Sequence, residues 1–112
     1  MPREGIVFLD DIVQACEKIS RYTAGTTLEG FRQEEKTIDA VVRNLEIIGE
    51  AAKSLPEDLR SNIVADWKKI AGLRDVLIHA YFGIDADIIW DIVQTKVPDR
   101  HWSVTAYLNQ HL

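Results

Sequence analysis

The chain holds a single cysteine, Cys16, so no intrachain disulfide is available to it. Cys16 sits among apolar residues, where a free thiol serves as a small buried hydrophobe. No apolar run approaches the roughly 20 residues of a membrane span, and the charged N-terminus lacks the pattern of a signal peptide. A cytoplasmic protein with no membrane contact is the expectation. Basic charge is also scarce: 13 Lys and Arg face 18 Asp and Glu, for a net charge of -5. Indiscriminate nucleic-acid binding needs many unopposed cations, so any such contact must come from a local basic cleft. There is no glycine-rich phosphate loop and no Cys/His metal spacing, so neither a bound metal nor another cofactor is expected. Alternating β-branched runs, internal repeats, low-complexity tracts and linkers are missing as well.

What remains is a chain of 112 residues, read as a single domain over 1–112. At 46% hydrophobic residues it can bury a core of modest size. Three Trp and three Phe in so short a chain point to apolar surface covered by another subunit.

Apolar residues recur at spacings of three and four. A first helix is expected over 5–24, with Leu9, Ile12, Val13, Cys16, Ile19 and Tyr22 inward and Gly25 as its stop. Thr26 with Glu29 forms a capping box, and Gly30 divides the next segment into a short helix and a long one. The long helix covers 34–55, burying Ile38, Val41, Val42, Leu45, Ile48, Ala52 and Leu55 ahead of Pro56. Residues 57–65 read as a connector with at most a short turn of helix. Asp66 caps a helix over 67–82 whose inward residues are Ile70, Leu73, Leu77 and Ala80, closed by Gly83. Asp85 caps a further helix bearing Ile88, Ile89, Ile92 and Val93, and Pro98 precedes a last helix over 99–110. Short loops between five or six helices imply an all-α antiparallel bundle.

The most informative stretch is Arg74-Asp75-Val76-Leu77-Ile78-His79-Ala80-Tyr81-Phe82-Gly83. Arginine offers phosphate a rigid fork of donors, and histidine moves protons near neutral pH without a metal. His79 falls in the last turn of its helix, where free carbonyls and the dipole favour the imidazolium. Asp75 lies one turn earlier on the same face, placed to orient the ring. Arg74 and His79 are five apart, about 140° around an ideal helix, so they flank a common edge. A long arginine still reaches a phosphate held near His79, and a second subunit is another way to complete the site. The chemistry these groups suit is metal-independent RNA cleavage. A base takes the ribose 2′-hydroxyl proton, and a cation stabilises the phosphorane that forms when that oxygen attacks phosphorus. A structural polar cluster or a dimer contact has the same spacing.

Arg74-x-x-x-x-His79-x-Tyr81 resembles the defining motif of the HEPN superfamily of ribonucleases. Two flanking strings, Arg43-Asn44-Leu45-Glu46-Ile47-Ile48-Gly49-Glu50-Ala51 and Trp67-Lys68-Lys69-Ile70-Ala71-Gly72-Leu73, extend the likeness, as does Phe82-Gly83-Ile84-Asp85. Together they resemble the HepT-like branch over about residues 5–97. The resemblance implies a HEPN-like helical homodimer whose two motifs face a shared cleft. It implies an endoribonuclease toxin of a type VII-like toxin–antitoxin pair, with Arg74 and His79 catalytic and Asp75 and Tyr81 supporting. It further implies an MntA-type nucleotidyltransferase antitoxin that silences the toxin by transferring AMP to Tyr81. Asp75 is a departure, since many relatives carry Asn there, and an acid repels RNA phosphate.

Other groups read as structural. Glu46 and Glu50, one turn apart, lack a ligating His at helical spacing and serve as polar partners in the bundle; Gly49 beside them allows close helix approach. His101 and His111 have no partner spacing and read as surface residues. Lys68, Lys69 and Arg74 form a small basic patch. Two readings follow: an RNA-cleaving toxin, or a non-catalytic helical dimer that binds a partner nucleotidyltransferase or a nucleotide. The intact Arg74, His79 and Tyr81 favour the first; Asp75 and the acidic balance favour the second.

Overall fold

The computed structural model describes residues 3–73, 75, 77 and 85–111, with backbone alone at 3 and 4. All regular structure among them is helical. Helix α1 spans Arg3–Thr23, α2 Leu28–Gln33, α3 Glu35–Ser54, α4 Glu57–Asn62 and α5 Trp67–Ala71. After the motif segment come α6, Ala86–Asp91, a π-helical turn, Ile92–Lys96, and α7, Val97–His111.

The core is the product of the three-and-four spacing. Leu9, Ile12, Cys16 and Ile19 of α1 are fully buried, and they meet Ile38, Val41, Leu45, Ile48 and Ala52 of α3. Burying each such aliphatic side chain stabilises the fold by about 1.5–3 kcal/mol before entropy is counted. Tyr22 does not join this stripe: it is 41% exposed, although Thr23 beside it in the last turn of α1 is buried. Val13 packs only at the core's edge. Gly5, in the first turn of α1, lies against Leu59 of α4 so closely that a Cβ there would run into the leucine side chain. The start of α1 therefore meets the segment just past the end of α3, and the two long helices run antiparallel.

Helix ends follow local chemistry, with two shifts from the sequence reading. Gly25 takes φ 73°, the left-handed conformation that glycine adopts without a Cβ penalty, and α1 stops before it. Thr27 rather than Thr26 caps α2: its Oγ1 accepts from the Gly30 N–H at 3.1 Å. Gly30 thus lies inside α2, and the break before α3 comes at Glu34. The Glu34 carboxylate then accepts from the Thr37 hydroxyl at 2.8 Å, bracing the start of α3.

Pro98 does not separate two helices. Residues 86–111 continue through the π turn, where the Val97 N–H donates to the Ile92 carbonyl five residues back. Proline has no N–H for the carbonyl of Gln94 and its ring crowds that carbonyl. The wider turn just ahead of Pro98 accommodates both, so the chain stays helical. Ile89 and Val93 face the core, whereas Ile88 is 46% exposed and Ile92 is half-buried.

Candidate functional site

Asp66 sets the start of the motif segment by accepting from the Lys69 N–H at 3.3 Å. Trp67 anchors it, donating its indole N–H to the carbonyls of Arg60 and Ile63 at 3.0 and 3.1 Å. Ile70 is buried and Leu73 packs partly against the core. The helix expected to run unbroken from 67 pauses at Gly72, whose N–H donates to Lys68 while its carbonyl accepts from Asp75. Glycine is a poor helix former and tightens this turn at little steric cost. Helical geometry resumes at Leu73, Asp75 and Leu77, with Leu77 buried and Asp75 exposed. Asp75 thus projects toward solvent two residues before a core position. Arg74, His79 and Tyr81 lie outside the described residues, as do Ala80 and Gly83.

Beside this segment is a cavity of about 480 Å³, floored by Leu45 and Ile48 of α3 and walled by Ile70, Gly72 and Leu73. Its opposite wall is the π turn and the first turn of α7, which supply Ile92, Lys96, Val97 and Arg100. Three cations, Lys69, Lys96 and Arg100, and one carboxylate, Asp66, therefore rim an apolar floor. Lys69 is shared with Asp66 at 3.6 Å. Lys96 and Arg100 form no ion pair with a described residue. Of the basic patch read from Lys68, Lys69 and Arg74, Lys69 lines this cavity, and Arg74 lies outside the described residues. Neither Lys96 nor Arg100 falls in the strings that carry the resemblance, and their spacing of four was the signal that could have shown them sharing a helix face.

The remaining sequence candidates do not line this cavity. Cys16 is buried, and burial pushes its thiol up to about 12; the positive charge of Arg100 opposes that rise and Glu17 adds to it. Glu46 and Glu50 stand exposed on α3, and Gly49 between them is buried. His101 is half-buried, and His111 is exposed but stacks on Tyr107 at 4.1 Å between ring centroids. Among the described residues no three His, Cys, Asp or Glu side chains gather as a metal site would require. No helix among them is long and apolar enough to cross a membrane.

An all-helical core, a capped motif helix and the Arg74-to-Tyr81 spacing define a class of protein that family comparison identifies. The family model described as "Ribonuclease HepT-like" matches residues 12–101, and the chain belongs to this HepT-like, HEPN-type ribonuclease family. Ribonuclease is accordingly the enzyme class in which it falls. A relative from Methanocaldococcus jannaschii, provisionally named an RNase, is 48% identical over 101 residues, 88% of this chain and 84% of its own. A Thermococcus cleftensis protein, provisionally named ribonuclease HepT, is 42% identical over 99 residues, 88% of this chain and 90% of its own. A third, from Caldanaerobacter subterraneus and also provisionally named an RNase, is 39% identical over 104 residues, covering 92% and 93%. No solved structure matches the chain significantly.

Proposed function

We propose that the protein is a metal-independent endoribonuclease toxin in which Arg74 and His79 carry out cleavage. The observation that carries this reading is the complete Arg74, His79 and Tyr81 set in a chain of the HepT-like ribonuclease family. In this reading His79 exchanges the proton of the ribose 2′-hydroxyl as that oxygen attacks the adjacent phosphorus. The 5′-oxygen leaves as a hydroxyl, taking a proton returned by the imidazolium or supplied by water, and a 2′,3′-cyclic phosphate remains. Arg74 stabilises the negative charge that builds on the phosphorane oxygens. Tyr81 shapes the site and receives AMP from a partner nucleotidyltransferase, which blocks RNA by bulk and by charge. The working unit is a homodimer with the two motifs lining one cleft. Purified protein incubated with RNA under EDTA tests the reaction. Cleavage with cyclic phosphate ends, lost in His79→Ala, is the expected result; equal cleavage by His79→Ala overturns the assignment.

The exposed carboxylate of Asp75 favours a second reading. An acid next to Arg74 repels RNA phosphate, and a non-catalytic dimer binding a nucleotidyltransferase or a nucleotide needs no cleavage. Asp75→Asn separates the two: a gain in RNA cleavage points to a ribonuclease held in check by this charge. Absence of cleavage in both forms points to the binding role.

A further inference from the structure

We propose that the cavity between α3, α5 and the π turn is a nucleotide seat, taking a base on its apolar floor and the attached phosphate on Lys96 and Arg100. Four observations converge on it. The cavity holds about 480 Å³, within the size range of small-ligand sites, and its floor is aliphatic, an apolar surface that the face of a base can pack against. Lys96 and Arg100 stand one helical turn apart on its rim and form no ion pair with a described carboxylate, while Asp66, the one carboxylate lining the cavity, pairs with Lys69. Arg100 is half-buried, and a cation held partly out of water without a counter-charge favours an anionic partner. The π turn supplies Ile92 and Lys96 to the wall, and such turns are frequent at functional sites.

Placement gives the seat a role. Leu73, a lining residue, is followed in the chain by Arg74, so a nucleotide held here sits beside the motif segment. A protein with net charge -5 needs a local basic cleft to hold RNA, and this rim supplies one outside the motif. The role as an RNA subsite rests on the ribonuclease reading; nucleotide binding itself does not. The same chemistry is met by a nucleotide within RNA or by a free mononucleotide.

The test is binding of a fluorescent 2′-O-methyl oligoribonucleotide, which cannot be cleaved, with AMP as a competitor, and a parallel assay of wild-type protein on cleavable RNA. Lys96→Ala with Arg100→Ala should weaken oligonucleotide binding about tenfold or more. It should also reduce the salt dependence, log Kd against log salt, by about 0.7 for the one phosphate held on a single strand. Ile92→Trp, on the wall, fills the space over the floor without altering charge; it should weaken binding at unchanged salt dependence. If the double variant melts early, exposed Lys96→Ala alone carries the charge test, with a smaller salt-slope change of the same sign. Binding unaffected by both the charge and the floor variants overturns the proposal. So does loss with the charge variant and none with Ile92→Trp, since that is electrostatic attraction without a base seat. AMP binding that both variants weaken, with no oligonucleotide binding, supports the seat and assigns it to a free nucleotide. Variant-sensitive oligonucleotide binding without cleavage by the wild type supports the seat while overturning the ribonuclease reading.

Discussion

Arg32 of α2 grips Asp87 of α6 with two parallel hydrogen bonds, each 2.8 Å, across 55 residues of sequence. Directly adjacent in the chain, Phe31 packs against Trp90 with ring centroids 5.1 Å apart. One polar clasp and one aromatic contact thus fix the helix that follows the motif segment to the short helix before α3. The hydrogen bond and charge from Arg32 hold the Asp87 carboxyl below its usual range.

Asp87→Asn should cost little stability near neutral pH, because the pair is solvated and exposed pairs contribute weakly. The sign of its pH dependence is definite. A carboxyl whose folded-state pKa is depressed stabilises the fold above its unfolded value near 3.8 and loses that contribution as pH falls through the lower folded value. The wild type should therefore lose its advantage over Asp87→Asn below about pH 4, as read by thermal melts between pH 2 and 7. A constant difference across that range would show that the clasp contributes nothing through ionisation.

Phe31→Ala should destabilise the fold by about 3–5 kcal/mol, since Phe31 is fully buried and its loss leaves a cavity beside Trp90. Urea unfolding measures it. A loss below about 1 kcal/mol would mean that α2 and α6 close over the gap.

Cys16 should be inert to alkylating reagents at pH 8 in the native protein and reactive once unfolded. Burial keeps the thiol neutral in the fold, with its pKa at about 12 against an ordinary value of 9.0. That difference stabilises the native state below pH 9 and fades as pH rises from 9 toward 12, where only the unfolded thiolate is free to form. Rapid modification in native buffer would contradict this.

Tyr81→Phe should resist AMP addition on co-expression with a partner nucleotidyltransferase, at the cost of some activity, whereas the wild type gains one or more AMP units and is neutralised. Intact-mass spectrometry reads the outcome. A neutralised complex with unmodified Tyr81 would leave occlusion by the partner as the mechanism.

Purified protein should run as a homodimer in light scattering at micromolar concentration, with an interface above about 1,000 Å². Trp102, 74% exposed, and Val64, 95% exposed, are apolar surface that a partner subunit could cover. A monomer at that concentration would count against a shared cleft.

By itself the sequence determined the helices, the core faces and the family. Periodicity marked Leu9, Ile12, Cys16 and Ile19, and the α3 stripe, because a 3.6-residue repeat places such residues on one side whatever they meet. The caps at Asp66 and Asp85 were equally legible, since each acts on N–H groups two or three residues away. The Arg74, His79 and Tyr81 candidates came from spacing and resemblance alone. Tertiary structure decided what no local rule contains. Tyr22 keeps its place in the apolar repeat yet is 41% exposed, because burial depends on a neighbour and not on spacing. Pro98 reads as a helix boundary, but packing of α7 on α1 and a π turn carry the helix through it. The clasp from Arg32 to Asp87 and the meeting of Lys69 with Lys96 and Arg100 join segments far apart in the chain. Such meetings follow from how helices cross, which the repeat of a single helix does not encode.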